Sequence, residues 1–173
     1  MYKGIKKYIM KRYFEKISFE QFKKDIKDDV NLYQEYYLPV RKTKCSAGYD
    51  FLAIEEFEIL PGEIKKIPTG YKSNFQDDEV LMLFVRSSMG FKYNIRMCNQ
   101  VGIVESDYYN NMDNEGHIFI ALQNEGEKIF KVNKGDAYAQ GVFMKFLTCG
   151  DEIDEVRTGG IGSTNKKEGI INE

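Results

Sequence analysis

Short apolar runs broken by regularly recurring turn signals constrain this chain more than any other feature. Leu60-Pro61-Gly62-Glu63 places proline second and glycine third, the signature of a type II turn. Gln76-Asp77-Asp78, Asn110 to Gly116, Asn124-Glu125-Gly126-Glu127 and Asn133-Lys134-Gly135-Asp136 are rich in residues that tolerate left-handed backbone or bond to their own main chain. Between them lie runs such as Val80 to Val85, Val101 to Val104, His117 to Gln123 and Gly141 to Phe146, rich in β-branched and other apolar residues. This alternation predicts an all-β fold, a sandwich or barrel. Glu105 and Asp107 share a face if extended, so the stretch Asn99 to Gln123 reads as a β-hairpin with carboxylates and tyrosines at its mouth.

The N-terminal part has another period. Phe19, Phe22, Ile26 and Val30 recur at helical spacing, and Ser18-Phe19-Glu20-Gln21 has the form of a capping box. A short amphipathic helix ending near Asp29 is expected. The reading is then an N-terminal extension over 1–37, a β domain over 38–150 and a flexible tail over 151–173. Gly159, Gly160 and Gly162 make that tail too loose to hold itself in place.

Charge and residue counts exclude several chemistries. With 25 basic and 27 acidic residues the chain carries a net charge of -2, which offers no general nucleic-acid surface. No apolar run is long enough to cross a membrane, and no signal-peptide pattern is present. The three cysteines, Cys45, Cys98 and Cys149, are widely spaced, so reduced thiols and a cytoplasmic location are expected. His117 is the single histidine, and no Gly-x-Ser-x-Gly occurs, which argues against a Ser-His-Asp hydrolase and against a zinc site.

Five segments carry candidate chemistry. Ala47-Gly48-Tyr49-Asp50-Phe51-Leu52-Ala53 opens the β domain. Arg86-Ser87-Ser88-Met89-Gly90 joins a planar fork of donors to two hydroxyls, a set suited to phosphate. Asn99 to His117 holds Glu105, Asp107 and Tyr108, and Gly135-Asp136-Ala137-Tyr138-Ala139-Gln140 follows. Last comes Arg157-Thr158-Gly159-Gly160-Ile161-Gly162-Ser163-Thr164, a loop able to close over phosphates. In order and spacing these segments resemble the five motifs of the trimeric deoxyuridine triphosphatase (dUTPase) family.

The resemblance implies a jelly-roll β subunit, a homotrimer with shared active sites, and hydrolysis of dUTP to dUMP and pyrophosphate with Mg²⁺. It implies that uracil pairs with the backbone of Asn99 and Gly102, Ile103 and Val104, and that Tyr108 packs on the deoxyribose. Arg86, Ser87, Ser88 and Gln140 would hold phosphates, and Asp50 the waters of the metal. Arg157, Ile161, Ser163 and Thr164 would close over the site. Glu105 would be the base, where the family usually has aspartate. Two further departures are Asn110 for a glycine and Ile161 for a phenylalanine, with the tail motif one residue short between Arg157 and Gly159. Glu105 and Ile161 also suit an alternative: a dUTP-binding regulatory protein with the same pocket and weak turnover.

Overall fold

The computed structural model describes residues 12–150 and 159–160. Two sheets form the body. One pairs β2 (Tyr49–Leu52), β11 (Ala137–Lys145), β6 (Glu79–Val85) and β8 (Gly102–Glu105), in that order. The other pairs β4 (Ile64–Pro68), β9 (Phe119–Asn124) and β7 (Ile95–Met97). Two ribbons complete the set: β1 (Tyr13–Lys16) with β5 (Tyr71–Asn74), and β3 (Phe57–Ile59) with β10 (Phe130–Val132). All these pairings are antiparallel. The sheets stay separate rather than closing into a barrel, so the all-β expectation holds in its jelly-roll-like sandwich form.

Alternation along each strand decides what is buried. Leu81 and Leu83 of β6 face the core while Val80, Met82 and Phe84 are half-exposed. Ile120 and Leu122 of β9 face inward in the same way. Phe51, Ile59, Tyr71 and Tyr138 join them. The type II turn forms as expected: Gly62 has φ +78°, and the Glu63 amide bonds to the Leu60 carbonyl at 2.9 Å.

Four expectations are corrected. First, β8 and β9 are not a hairpin; they lie in different sheets. The connection between them, residues 106–118, is far longer than the two to five residues of a usual hairpin loop. Gly102 instead lets β8 approach β6 closely, since a Cβ there would sit 2.9 Å from Leu83 Cβ. Second, the N-terminal helix α1 (Phe19–Asp25) stops short of Asp29, and Asp29 caps a second helix, α2 (Val30–Glu35). Third, the capping box is half made. Ser18 Oγ accepts from the Gln21 amide at 3.1 Å, but the Gln21 side chain turns to Asp25. Fourth, the β domain expected over 38–150 contains a helix, α3 (Ser87–Tyr93), at a stretch without helical periodicity.

The extension also packs more deeply than its amphipathic pattern suggests. Ile17 and Phe22 are fully buried, and Leu32 and Tyr36 are buried beside them. Burial of this kind contributes roughly 1.5–3 kcal/mol per large apolar side chain.

Candidate active site

The register of the four-stranded sheet assembles one half of the candidate site. Gln140 lies opposite Asp50 on one side and Phe84 on the other. Directly opposed residues share a face, and so do residues two apart on one strand. Gly48, Asp50, Gln140, Phe84 and Arg86 therefore converge on one surface. With Lys42 and Ser87 they line a cleft of ≈ 410 Å³.

Within it, Arg86 Nε stands 3.4 Å from Asp50 Oδ1, and its Nη1 donates to the Ala137 carbonyl at 3.4 Å. Both contacts are long, so the guanidinium keeps donor capacity for an incoming anion. Asp50 is buried, and its Oδ2 has no hydrogen-bond partner among the described residues. Gln140 is half-buried and donates to the Val85 carbonyl at 3.4 Å. Arg86 caps α3, which makes the Ser87 and Ser88 amides first-turn donors without intrahelical acceptors, beside two exposed hydroxyls.

Gly48 is needed for this packing. A Cβ there would sit 2.5 Å from Gln140 Oε1, the free end of a flexible side chain. Gly48→Ala is therefore expected to shift Gln140 rather than unfold the protein. The stability cost should stay below about 1 kcal/mol, while kcat/KM falls roughly ten- to a hundredfold through misplacement. A thermal melt beside steady-state kinetics checks this; unchanged kinetics would remove Gln140 from the site.

The second half lies elsewhere on the same chain. Glu105 ends β8 and pairs with Val80, at the start of β6, whereas Arg86 follows its end. Six residues of extended chain separate Val80 from Arg86, about 20 Å at the usual strand rise. Within one chain, then, Glu105 does not reach the phosphate-type cleft. Ile103 and Glu105 are exposed, Val104 is half-buried and Gly102 is buried against Leu83. Asn99 lies exposed in the turn before β8, beside Gln100 at φ +64°.

Tyr108 closes a single 3-10 turn, Ser106–Tyr108. It is buried, and its hydroxyl donates to the His117 carbonyl at 3.0 Å while accepting from Asn114 Nδ2 at 2.8 Å. Asn110 adopts φ +56°, so asparagine does sustain the left-handed turn expected at the glycine position. Part of the tail is described here: the Gly160 amide donates to Asp113 Oδ2 at 2.7 Å. Arg157, Ile161, Ser163 and Thr164 lie outside the described residues.

His117 is structural. Its ring is fully buried, with Nδ1 2.6 Å from Asp25 Oδ2 and Nε2 accepting from the Gly70 amide at 2.9 Å. Burial pushes its pKa below the ordinary imidazole value, against the pull of Asp25. The roles of Asn111 and Asn114 escaped the sequence reading. Their signal was present as asparagines in a dense turn, where side chains bond to nearby main chain. Lys42, one of the basic residues of Arg41-Lys42-Thr43-Lys44, carried no signal of its own in the sequence.

Comparison with known proteins identifies relatives of this chain. A family model described as dUTPase matches residues 34–171. The deoxyuridine 5'-triphosphate nucleotidohydrolase of Lactococcus lactis subsp. lactis (strain IL1403) is 48% identical over 130 residues, covering 73% of this chain and 87% of that protein. The protein of the same name from Haemophilus influenzae (strain PittEE) is 35% identical over 148 residues, covering 80% and 94%. The crystal structure of dUTPase from Streptococcus mutans superposes with a TM-score of 0.64 at 41% identity, covering 80% of this chain and 98% of that one.

Proposed function

Because this chain belongs to the dUTPase family, we propose that it hydrolyses dUTP to dUMP and pyrophosphate at sites shared between the subunits of a homotrimer. The observation that supports sharing is the separation of Glu105 from Arg86 on one sheet. A neighbouring copy can bring its own Glu105 edge against the cleft of Arg86, Ser87 and Gln140. The half-exposed Met82, Phe84 and Val142 on that sheet face then gain cover.

In such a site the chain's own groups divide the work. Arg86, with the amides and hydroxyls of Ser87 and Ser88, receives the phosphates and neutralises their charge. Gln140 fixes their position. Glu105 orients a water for in-line attack on the α-phosphorus and takes its proton. The backbone of Asn99 and of Gly102 to Val104 selects uracil, and Tyr108 presents what remains of its buried ring to the deoxyribose. The tail, with Arg157, Ile161, Ser163 and Thr164, closes over the bound nucleotide.

The donor set suits a Mg²⁺ carried in by the nucleotide. No group of three or more His, Cys, Asp or Glu side chains among the described residues could hold a metal. Asp50, with an oxygen that no described residue hydrogen-bonds, fits the one or two carboxylates with which proteins usually meet a phosphate-bound Mg²⁺. Bound there, the ion would spread the charge developing on the phosphate oxygens. The wide spacing of the three cysteines supports a cytoplasmic setting. No helix among the described residues is long and apolar enough to cross a membrane.

The test is pyrophosphate release from dUTP beside dCTP, dTTP and UTP, with and without Mg²⁺. Hydrolysis of dUTP is expected, with UTP at least about a hundredfold worse. Comparable turnover of UTP would overturn the assignment of Tyr108 to the sugar.

A further inference from the structure

Residues 12–33 precede the span that the family model matches, yet they grip the loop that carries Tyr108. Three attachments hold residues 106–118. The Tyr109 hydroxyl donates to Glu15, and its ring meets Tyr13 edge-on at 6.3 Å. The Ser18 amide donates to Glu115 Oε2 at 3.0 Å, and the Ser18 hydroxyl donates to the other oxygen. Asp25 Oδ2 lies 2.6 Å from His117 Nδ1.

Each attachment falls on a residue that bonds to Tyr108 or adjoins it or its partner: Tyr109 follows Tyr108, Glu115 follows Asn114, and His117 bonds to the Tyr108 hydroxyl itself. The His117 carbonyl accepts the hydroxyl proton, and Asn114 donates to the hydroxyl oxygen. Asn111 Nδ2 donates to the Tyr108 carbonyl at 2.8 Å. The loop is also unfavourable by itself. Asn110, Glu115 and Gly116 all have positive φ, and a Cβ on Gly116 would come within 2.6 Å of the Tyr108 carbonyl. Such backbone persists only where its surroundings over-determine it. The N-terminal segment is the surrounding structure on that side. It reaches the other face of His117 too, since Gly70, whose amide donates to His117 Nε2, accepts the Ile17 amide at its carbonyl.

We propose that Tyr13–Asp25 is a brace that sets the position of Tyr108 and so sharpens rejection of a 2′-hydroxyl. Glu15, Ser18 and Asp25 are positioning residues acting through Tyr109, Glu115 and His117. The proposal rests on the reading of Tyr108 as the sugar contact.

The experiment compares full-length wild type with Asp25→Ala, Asp25→Asn, Tyr109→Phe and, as a control, Lys27→Ala. Lys27 pairs with Glu55 rather than with the loop. The readout is the ratio of kcat/KM for dUTP to that for UTP, together with the ratio of Kd values for their α,β-imido analogues. A fraction of unfolded enzyme lowers both substrates equally and cancels in the ratio. Asp25→Ala should lower the ratio about tenfold, because a small displacement of the discriminating group suffices. Asp25→Asn should restore most of it, since an amide oxygen still accepts the Nδ1 proton. Tyr109→Phe should fall between them, and Lys27→Ala should match wild type. If Asp25→Ala does not fold, Tyr109→Phe carries the test. A wild-type ratio in both loop variants overturns the brace alone. A wild type without any preference for the deoxynucleotides overturns the sugar contact first, and the brace with it.

Discussion

Glu105→Gln is expected to abolish turnover of dUTP while leaving the nucleotide bound. The substitution keeps the size and hydrogen-bonding reach of the side chain and removes only the anion. Glu105 stands exposed at the end of β8, outside the core, so the fold has little reason to respond. A positioned general base contributes roughly 10²–10⁴ in rate, which sets the expected loss of kcat. Affinity for the α,β-imido analogue should change by no more than a few-fold, the pattern of an interaction made chiefly in the transition state. Glu105→Asp should stay active, since it supplies the carboxylate usual in the family. Pyrophosphate release and calorimetry on the three proteins decide it. Turnover at the wild-type rate in Glu105→Gln would mean that another group activates the water, and strong binding with little turnover in wild type would favour the regulatory reading.

Mixing two inactive variants should restore activity. Arg86→Ala removes the phosphate fork from one half of the site, and Glu105→Gln removes the base from the other. If each site draws Arg86 from one subunit and Glu105 from its neighbour, random trimers of an equal mixture contain sites with both halves intact. By simple counting for a C3 ring, about a quarter of all sites qualify. The measurement is activity after joint refolding of the two variants, beside each alone and beside sedimentation to establish the assembly. Recovery to about a quarter of the wild-type rate supports sites built between chains. No recovery from well-formed mixed trimers would place both groups in one chain's site, against the separation of about 20 Å along β6.

Much of this protein was readable without its structure, for reasons that are local. A proline and a glycine set the turn after Leu60, and period-two alternation set which residues of β6 and β9 face inward. Short-range backbone and burial preferences act within a few residues, so they leave their mark on the string itself. The candidate chemical groups, Arg86-Ser87-Ser88 and Glu105, likewise stand out in the sequence by type and order. What the string could not decide was partnership over distance. Nothing between Val104 and Phe119 announces that the two strands go to different sheets; that follows from how closely Gly102 lets β8 approach Leu83. Helix α3 was hidden because Phe91 and Tyr93 have strand-like propensity, which tertiary context overrides. His117 had no visible role until Asp25, 92 residues away in sequence, appeared at its ring. The splitting of the candidate site is of the same kind. Strand register alone puts Glu105 beside Val80 and far from Arg86, and register is decided by which faces the whole core must bury.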